Sequence, residues 1–190
     1  ITACDSVVWY GTTYDSSGTY SYSNSTSNNY SMSFDGVDDE IICNNPLQPN
    51  MSEITIMFFA KFSSTNYATL ITDWPAGGAT FKIDTYSDKL RFDIITSVGY
   101  YQTIHTLSTN DFNTWINWAY TYNGDTAKVY KNGVLVEVNT SLDGTISPAS
   151  SVIRFANEEN NPAFWNGYMD EPHFWNIALT EQEVQNYMNC

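Results

Sequence analysis

Residues 118–136 read WAYTYNGDTAKVYKNGVLV. Within them Asn123-Gly124-Asp125 separates Trp118-Ala119-Tyr120-Thr121-Tyr122 from Ala127-Lys128-Val129-Tyr130, and Asn132-Gly133 separates that second run from Val134-Leu135-Val136. Asn-Gly supplies the positive φ angles that a tight two-strand turn requires, so between apolar runs it marks a hairpin. Two such turns in nineteen residues predict three successive antiparallel strands. Working outward, Ile54, Ile56, Phe58 and Ala60 alternate with Thr55, Met57, Phe59 and Lys61. Phe81 and Ile83 alternate with Lys82 and Asp84, and Leu90, Phe92 and Ile94 with Arg91 and Asp93. Period-2 alternation gives each strand one face for a core. Helical periodicity enters only at the end, where Thr180 stands as an N-cap with Glu183 at the capping-box position, and Leu179 and Val184 stand at staple spacing. Many short strands and one closing helix predict an all-β fold, a two-sheet antiparallel β-sandwich of jelly-roll type with a short C-terminal helix.

Composition narrows the function. The 190 residues are 42% hydrophobic and 16% aromatic but only 15% charged. A chain of that length and apolar content folds as a domain, and its surface must be covered largely by Ser, Thr and Asn, a texture that suits an extracellular β-protein. Seven basic residues against 21 acidic ones give a formal charge of −14. Such a charge repels phosphate backbones and anionic membrane surfaces, so nucleic acid is not expected as a partner. The longest apolar run, Ile54 to Ala60, has the length of a buried strand and falls far short of a bilayer span, so no membrane insertion is expected. His105 and His173 are isolated, and Cys4, Cys43 and Cys190 form no CxxC, which leaves no ligand set for zinc. Three cysteines allow three pairings; Cys43, two residues after Ile41 on a strand face, suits a small buried thiol, which leaves Cys4 with Cys190 as the expected bridge. The chain opens on Ile1 and closes on Cys190 at the end of the helical pattern, and we expect it to be a segment of a longer protein.

Residues 1–30 differ in texture from 31–190. They are almost entirely Ser, Thr, Tyr, Gly and Asn, with an apolar patch at Val7 to Tyr10, and cannot hold a core alone. Thr12-Thr13-Tyr14 and Thr19-Tyr20-Ser21-Tyr22 alternate like exposed hairpin strands. Through Cys4-Asp5-Ser6, Trp9, Gly11-Thr12-Thr13-Tyr14 and Ser17-Gly18-Thr19-Tyr20, this segment resembles a repeat of large secreted adhesin-like proteins of Bacteroidetes-type bacteria. The second cysteine of that repeat is missing here. Four N-glycosylation sequons, at Asn24, Asn29, Asn50 and Asn139, are what an Asn/Ser/Thr-rich chain contains by chance.

In residues 31–190 four motifs follow one another: Ser33-Phe34-Asp35-Gly36-Val37-Asp38-Asp39, then Trp118-Ala119 through Val129-Tyr130-Lys131-Asn132-Gly133, then Asn166-Gly167-Tyr168-Met169-Asp170-Glu171, then Trp175-Asn176-Ile177-Ala178-Leu179-Thr180. In this order they resemble the laminin-G/pentraxin members of the concanavalin A-like superfamily. The resemblance implies the same sandwich. It also implies a Ca²⁺ ion at one sheet edge, structural or bridging to ligand, where the early Asp-Gly turn meets the Asp of the last long strand. The matching positions here are Asp35, Asp38, Asp39 and Asp170; hard cations take such oxygen ligands from segments distant in sequence. Against this stands the reading in which Asp35 and Asp38 cap a tight turn and Asp170 is a solvated charge.

The superfamily holds lectins, protein-binding modules and glycoside hydrolases, so fold alone does not choose among them. Hydrolase relatives place carboxylates on one strand as Glu-x-Asp-x-x-Glu, a spacing this sequence lacks, and no catalytic residues are expected. Carbohydrate binding needs an aromatic ring that the core does not use. Trp115, Trp118, Trp165 and Trp175 read as core residues, whereas Trp74, in the turn sequence Asp73-Trp74-Pro75-Ala76-Gly77-Gly78, has few local neighbours. The expected ligand-binding residues are Asp73 and Trp74, with Tyr100, Tyr101 and the loop Glu158-Glu159-Asn160-Asn161 contributing. The expected protein is a non-catalytic, lectin-like adhesion module, secreted or cell-surface, with a glycan, polysaccharide or surface glycoprotein as partner, beside neighbouring domains of the longer chain. Protein-binding or spacer modules and, further off, a polysaccharide-degrading enzyme are the alternatives.

Overall fold

The structure, a computed structural model, describes residues 7–9, 12–14, 31–48, 50–64, 66–73, 80–146, 152–159 and 163–188. The chain divides into two compact units, Ile1–Tyr30 and Ser31–Cys190. In the first, β1 (Val7–Trp9) pairs antiparallel with β2 (Thr12–Tyr14). Residues 19–22, expected as further strand, and both Cys4 and Cys190 lie outside the described residues.

The second unit is a sandwich of two six-stranded antiparallel sheets. Its strands are β3 (Met32–Asp35), β4 (Ile41–Asn44), β5 (Ile54–Phe62), β6 (Ala68–Thr72), β7 (Phe81–Tyr86), β8 (Lys89–Ile95), β9 (Tyr100–Thr106), β10 (Ile116–Tyr122), β11 (Ala127–Lys131), β12 (Val134–Asn139), β13 (Val152–Phe155) and β14 (Asn166–Trp175). One helix, α1 (Glu181–Tyr187), follows. The sheet orders are β12-β11-β10-β5-β14-β3 and β4-β13-β6-β7-β8-β9. Both Asn-Gly hairpins form as expected. Lys131 pairs Val134 around Asn132 and Gly133, whose φ values of 50° and 73° are those of a two-residue primed turn. The register shift at Val129/Tyr130 marks a bulge in the same hairpin.

The core lies between the sheets. Ile54, Ile56, Phe58, Ala60 and Phe62 of β5 and Ile116, Trp118, Tyr120 and Tyr122 of β10 face Phe81, Ile83, Leu90, Phe92 and Ile94 of β7 and β8. Phe92 and Tyr120 stack across the layers with centroids 5.4 Å apart and planes 5° apart. At one end Phe62 meets both Trp118 and Trp165, and Phe34 meets Trp165, in edge-on or tilted contacts. Such pairs add stabilisation beyond the area they bury.

Alternation alone leaves the outer face of the first sheet to solvent; α1 covers part of it instead. Met57, Ala119 and Tyr130 form a second apolar cluster with Leu179 and Val184. Thr180 accepts the Glu183 backbone N–H and Glu183 accepts that of Thr180 at 2.8 Å, closing the expected capping box. Thr55 fixes the approach to the helix: its hydroxyl donates to the Ile177 carbonyl at 2.7 Å and accepts the Leu179 N–H at 2.9 Å.

Two expectations about burial fail. Cys43 is exposed. It pairs with buried Ile153 and so shares the inward face, but β4 is the outermost strand of its sheet and no layer extends over it. Trp115, expected in the core, is 41% exposed; it precedes β10 and lies on the outer face, edge-on to exposed Tyr168 with Lys61 over the Tyr168 ring.

A Cβ on Gly167 would lie 2.5 Å from Trp165 Cζ2 and 2.7 Å from the Lys61 carbonyl oxygen. Neither the buried indole nor the central strand can move aside. Gly167→Ala is therefore expected to cost roughly 1–3 kcal/mol, read as a fall of several degrees in Tm by calorimetry; an unchanged Tm would show that the Trp165 layer is loosely packed.

Candidate functional site

Strands β7 and β8 are buried on both faces, although one face of each is charged. Lys82 and Asp84 of β7 stand in register with Asp93 and Arg91 of β8, so each charge meets its opposite across the ladder. Asp84 has no exposed surface. Its carboxylate accepts Arg91 Nε and Nη2 at 2.6 Å each and lies 3.3 Å from Lys82 Nζ. Lys82 also donates to Glu158 Oε2 at 3.3 Å and to the Tyr67 hydroxyl at 3.2 Å, and that hydroxyl donates to Glu158 Oε1 at 2.9 Å. Burial pulls the Lys82 pKa down, but Asp84, Tyr67 and Glu158 together outweigh it and hold the ammonium above its ordinary range. Asp93, also buried, accepts the Tyr100 hydroxyl at 2.8 Å and Gln102 Nε2 at 3.0 Å, and Gln102 bonds Tyr100 as well at 2.6 Å. In register with Asp84, the Thr69 hydroxyl is buried with no hydrogen-bond partner among the described residues.

Around this ionic floor stand three tyrosines. Tyr67, Tyr86 and Tyr100 are 36%, 55% and 49% exposed. Tyr67 and Tyr86 meet edge to face at 6.3 Å, with Lys82 under the first ring and Arg91 under the second. Each tyrosine keeps part of its surface open to solvent, while the charges beneath are paired with one another. Four of the chain's seven basic residues, Lys82, Lys89, Arg91 and Arg154, lie on this sheet's strands. Arg154 is held by Glu40 at 3.1 Å and Glu159 at 3.5 Å.

The expected ligand residues divide. Tyr100 belongs to the tyrosine rim, whereas Tyr101, one residue on, turns inward and packs on the core. Asp73 is buried and consumed by the turn: it accepts the N–H groups of Thr80 and Phe81 at 2.8 and 3.0 Å and Asn45 Nδ2 at 3.5 Å. It anchors both ends of the loop that carries Trp74 and presents nothing to a ligand. Trp74, Asn160 and Asn161 lie outside the described residues. Glu158, placed in a loop by its sequence neighbours, is a buried member of the floor, and Asn157 pins the same loop by accepting the Ala163 N–H at 3.1 Å. Tyr67, Tyr86, Lys82, Asp84, Arg91 and Asp93 were missed. The signal for them was present in the sequence: opposite charges at matching positions of two adjoining alternating runs.

At the sheet edge, ligand oxygens of Asp35, Asp38 and Asp39 lie within 4.8 Å of one another, all on exposed side chains. Asp35 Oδ1 accepts the Val37 N–H at 2.8 Å and Asp39 Oδ2 accepts the Asp35 N–H at 3.0 Å, the bonds of an Asp-capped turn. Asp170 does not join them. Strand β14 begins at Asn166, and it is Asn166 that pairs with Asp35 and donates to its carbonyl at 2.7 Å. Asp170 stands four residues further along, opposite Phe59, and accepts the Glu171 N–H.

A laminin-G family model for the concanavalin A-like lectin/glucanases superfamily matches residues 34–185, and the chain belongs to that superfamily. Among solved structures, the receptor binding domain of botulinum neurotoxin D is similar with a TM-score of 0.67 at 19% identity, over 82% of this chain and 42% of that one. The serotype D ligand binding domain in complex with N-acetylneuraminic acid gives 0.66 at 19%, over 80% of this chain and 40% of that one. A heptameric SAP-like pentraxin from Limulus polyphemus gives 0.63 at 15%, over 80% and 78%. The chain thus spans less than half of the toxin domains it resembles, and at these identities the likeness is one of fold. No curated protein matches by sequence. Among the described residues no helix is long and apolar enough to cross a membrane.

Burial raises the pKa of Asp93, against the lowering effect of its bond from Tyr100. Folding therefore takes up a proton above the ordinary carboxylate range. The stability Asp93 contributes is full below the unfolded pKa and is lost as pH rises through the folded one. A ¹³C carboxyl titration is expected to place its midpoint above roughly 3.9; a midpoint at or below that would mean that Tyr100 and Gln102 outweigh burial.

Proposed function

We infer that the protein is a non-catalytic carbohydrate-binding module of a larger extracellular protein, and that the outer face of the β6–β9 strands takes the sugar. The observation that carries this reading is the rim of Tyr67, Tyr86 and Tyr100 over a buried polar floor. Aromatic rings offer stacking surface to the C–H face of a pyranose, and phenol, amide and carboxylate groups held by their own hydrogen bonds offer fixed donors and acceptors. The complex of a similar domain with N-acetylneuraminic acid supports sugar as the ligand class. Here each floor cation is matched by carboxylates and the chain carries −14, which favours neutral glycans over acidic ones. Every floor carboxylate is bonded to Arg, Lys, Tyr or Gln, an arrangement that supports recognition over acid–base turnover. Weak single-site affinity is offset by repetition along a parent chain displayed outside the cell.

Calcium joins the proposal at Asp35, Asp38 and Asp39, whose all-oxygen donor set suits a hard cation. A protein-contact module is the second reading, favoured by the exposed Trp115–Tyr168 pair on the opposite sheet.

A glycan array in Ca²⁺ and in EDTA is expected to give signal on neutral saccharides. That signal should fall roughly tenfold in Tyr100→Ala and in Tyr86→Ala, the effect of losing one stacking ring. A folded protein that leaves the array blank would overturn the sugar reading. Separately, Tm in millimolar Ca²⁺ is expected to exceed Tm in EDTA, and Asp38→Asn should remove the difference; coincident melting curves for the unmodified protein would refute the calcium site.

A further inference from the structure

On the other sheet, away from the tyrosine rim, β14 is interrupted. Its pairing with β5 shifts register between Asp170 and His173, so Glu171 and Pro172 form a bulge. Proline has no N–H for a ladder and is confined to edges and bulges. The bulge falls just past Met169, where pairing with β3 ends and β14 becomes an edge. Glu171 there takes a φ of +47°, a left-handed conformation that side-chain-bearing residues adopt rarely and that clusters at functional sites.

The distorted segment forms one wall of a cavity of about 260 Å³ lined by Glu171, Pro172, His173 and Tyr187, the last from the end of α1. That size is just below the roughly 300 Å³ where pockets for drug-sized ligands begin, and suits a small headgroup. His173 stacks on Trp175 at 5.4 Å and 22°, and Trp175 meets Tyr187 at 5.1 Å, so three rings run side by side. His173 Nδ1 lies 2.8 Å from the Glu171 carbonyl, which only accepts; Nδ1 therefore donates in that bond, and in this tautomer Nε2 is the ring's acceptor. Glu171 takes part in none of the ion pairs formed by the described residues. Asp170, beside it, accepts its N–H at 2.9 Å. The lining thus offers a carboxylate, an imidazole acceptor, a phenol ring and a proline ring, with no basic side chain among them.

We propose that this cavity is a binding site for an organic ammonium group, a protonated amine or a quaternary nitrogen, held by the Glu171 carboxylate and the Tyr187 ring with His173 accepting any N–H. An anion has no Lys or Arg among the described lining residues to meet it. A metal would find two ligating side chains, and the described carboxylate and imidazole groups that cluster at ligand spacing are elsewhere, at Asp35, Asp38 and Asp39. A cation over an aromatic face, beside a carboxylate on a chain of net charge −14, satisfies every group present. The site stands independently of the sugar reading, since its residues and its sheet are different.

The test is an NMR titration of the whole chain with tetramethylammonium and n-butylammonium chloride at constant ionic strength, following the Trp175 indole N–H and the His173 ring, with 1-butanol as the neutral comparison. Saturable shifts with either ammonium and not with 1-butanol are expected. A response to both salts identifies charge recognition by the rings, and a response to butylammonium alone identifies N–H recognition by Glu171 and His173; either supports the proposal. Glu171→Gln should weaken binding roughly tenfold, and Tyr187→Leu, which keeps apolar cover over Trp175, should weaken it comparably. No saturable shift with either ammonium, an equal response to 1-butanol, or unchanged affinity in a folded Glu171→Gln protein would each overturn it.

Discussion

Strand β5 must be covered on two sides. Its residues Ile54, Ile56, Phe58, Ala60 and Phe62 face the second sheet, while Thr55 and Met57 face outward and are equally buried. In an antiparallel sheet one side is ordinarily left to water, so a central strand with two buried faces requires a second cover, and α1 supplies it through Leu179 and Val184. The helix is too short to be stable by itself. It is held by its capping box, by the Thr55 hydroxyl on the preceding segment and by Gln185, which donates to the Gly133 carbonyl at 3.0 Å. The hairpin turn at Asn132-Gly133, the end of β14 and the helix therefore form a single closure over β5. The cavity beside Tyr187 lies where β14 shifts out of register, next to that closure.

The second sheet meets the same two-sided burial with charge instead of hydrocarbon. Lys82, Asp84 and Arg91 could be replaced by apolar residues at little cost to stability, since the desolvation of buried ions offsets most of their attraction. A hydrogen-bonded ionic floor gives instead fixed polar groups that do not move when a ligand arrives. The bidentate Arg91–Asp84 pair and the three acceptors around Lys82 Nζ hold both cations in place. Rigid polar groups under open tyrosine rings are what a weakly binding site requires if little ordering entropy is to be lost on association.

The sandwich, its Asn-Gly hairpins, its inward strand faces and the capped helix were legible because each rests on a local rule: period two, positive φ, or side chain to backbone capping. What was not legible rests on what lies above a residue. Cys43 obeys the alternation and is still exposed, because edge position is a property of the sheet order. Trp115 sits one residue before its strand and turns outward. Tyr100 and Tyr101 could not be told apart until the register of β9 was known, since a step of one residue exchanges the two faces. Asp170 lies away from the Asp35 turn for a different reason, position along the strand: β14 starts at Asn166, four residues earlier, and it is Asn166 that stands opposite Asp35. The alternation assigned one face of each strand to the core and left the charged face unassigned, whereas its cross-strand complements, Lys82 with Asp93 and Asp84 with Arg91, mark a face that another layer of side chains covers.

Complementary charge at paired positions is thus more informative than either strand's pattern alone. A solvated strand face gains little from matching its partner, because exposed ion pairs contribute almost nothing. A covered face has no such freedom: an unmatched buried charge is among the costliest defects a fold can carry. The matching on β7 and β8 follows from burial, and the burial follows from Tyr67, Tyr86, Tyr100 and Glu158 closing over the sheet. The β14 cavity obeys the opposite logic. There a carboxylate stands on a strained backbone among aromatic rings, and where the first face closes its charges on one another, the second presents one that joins none of the ion pairs formed by the described residues.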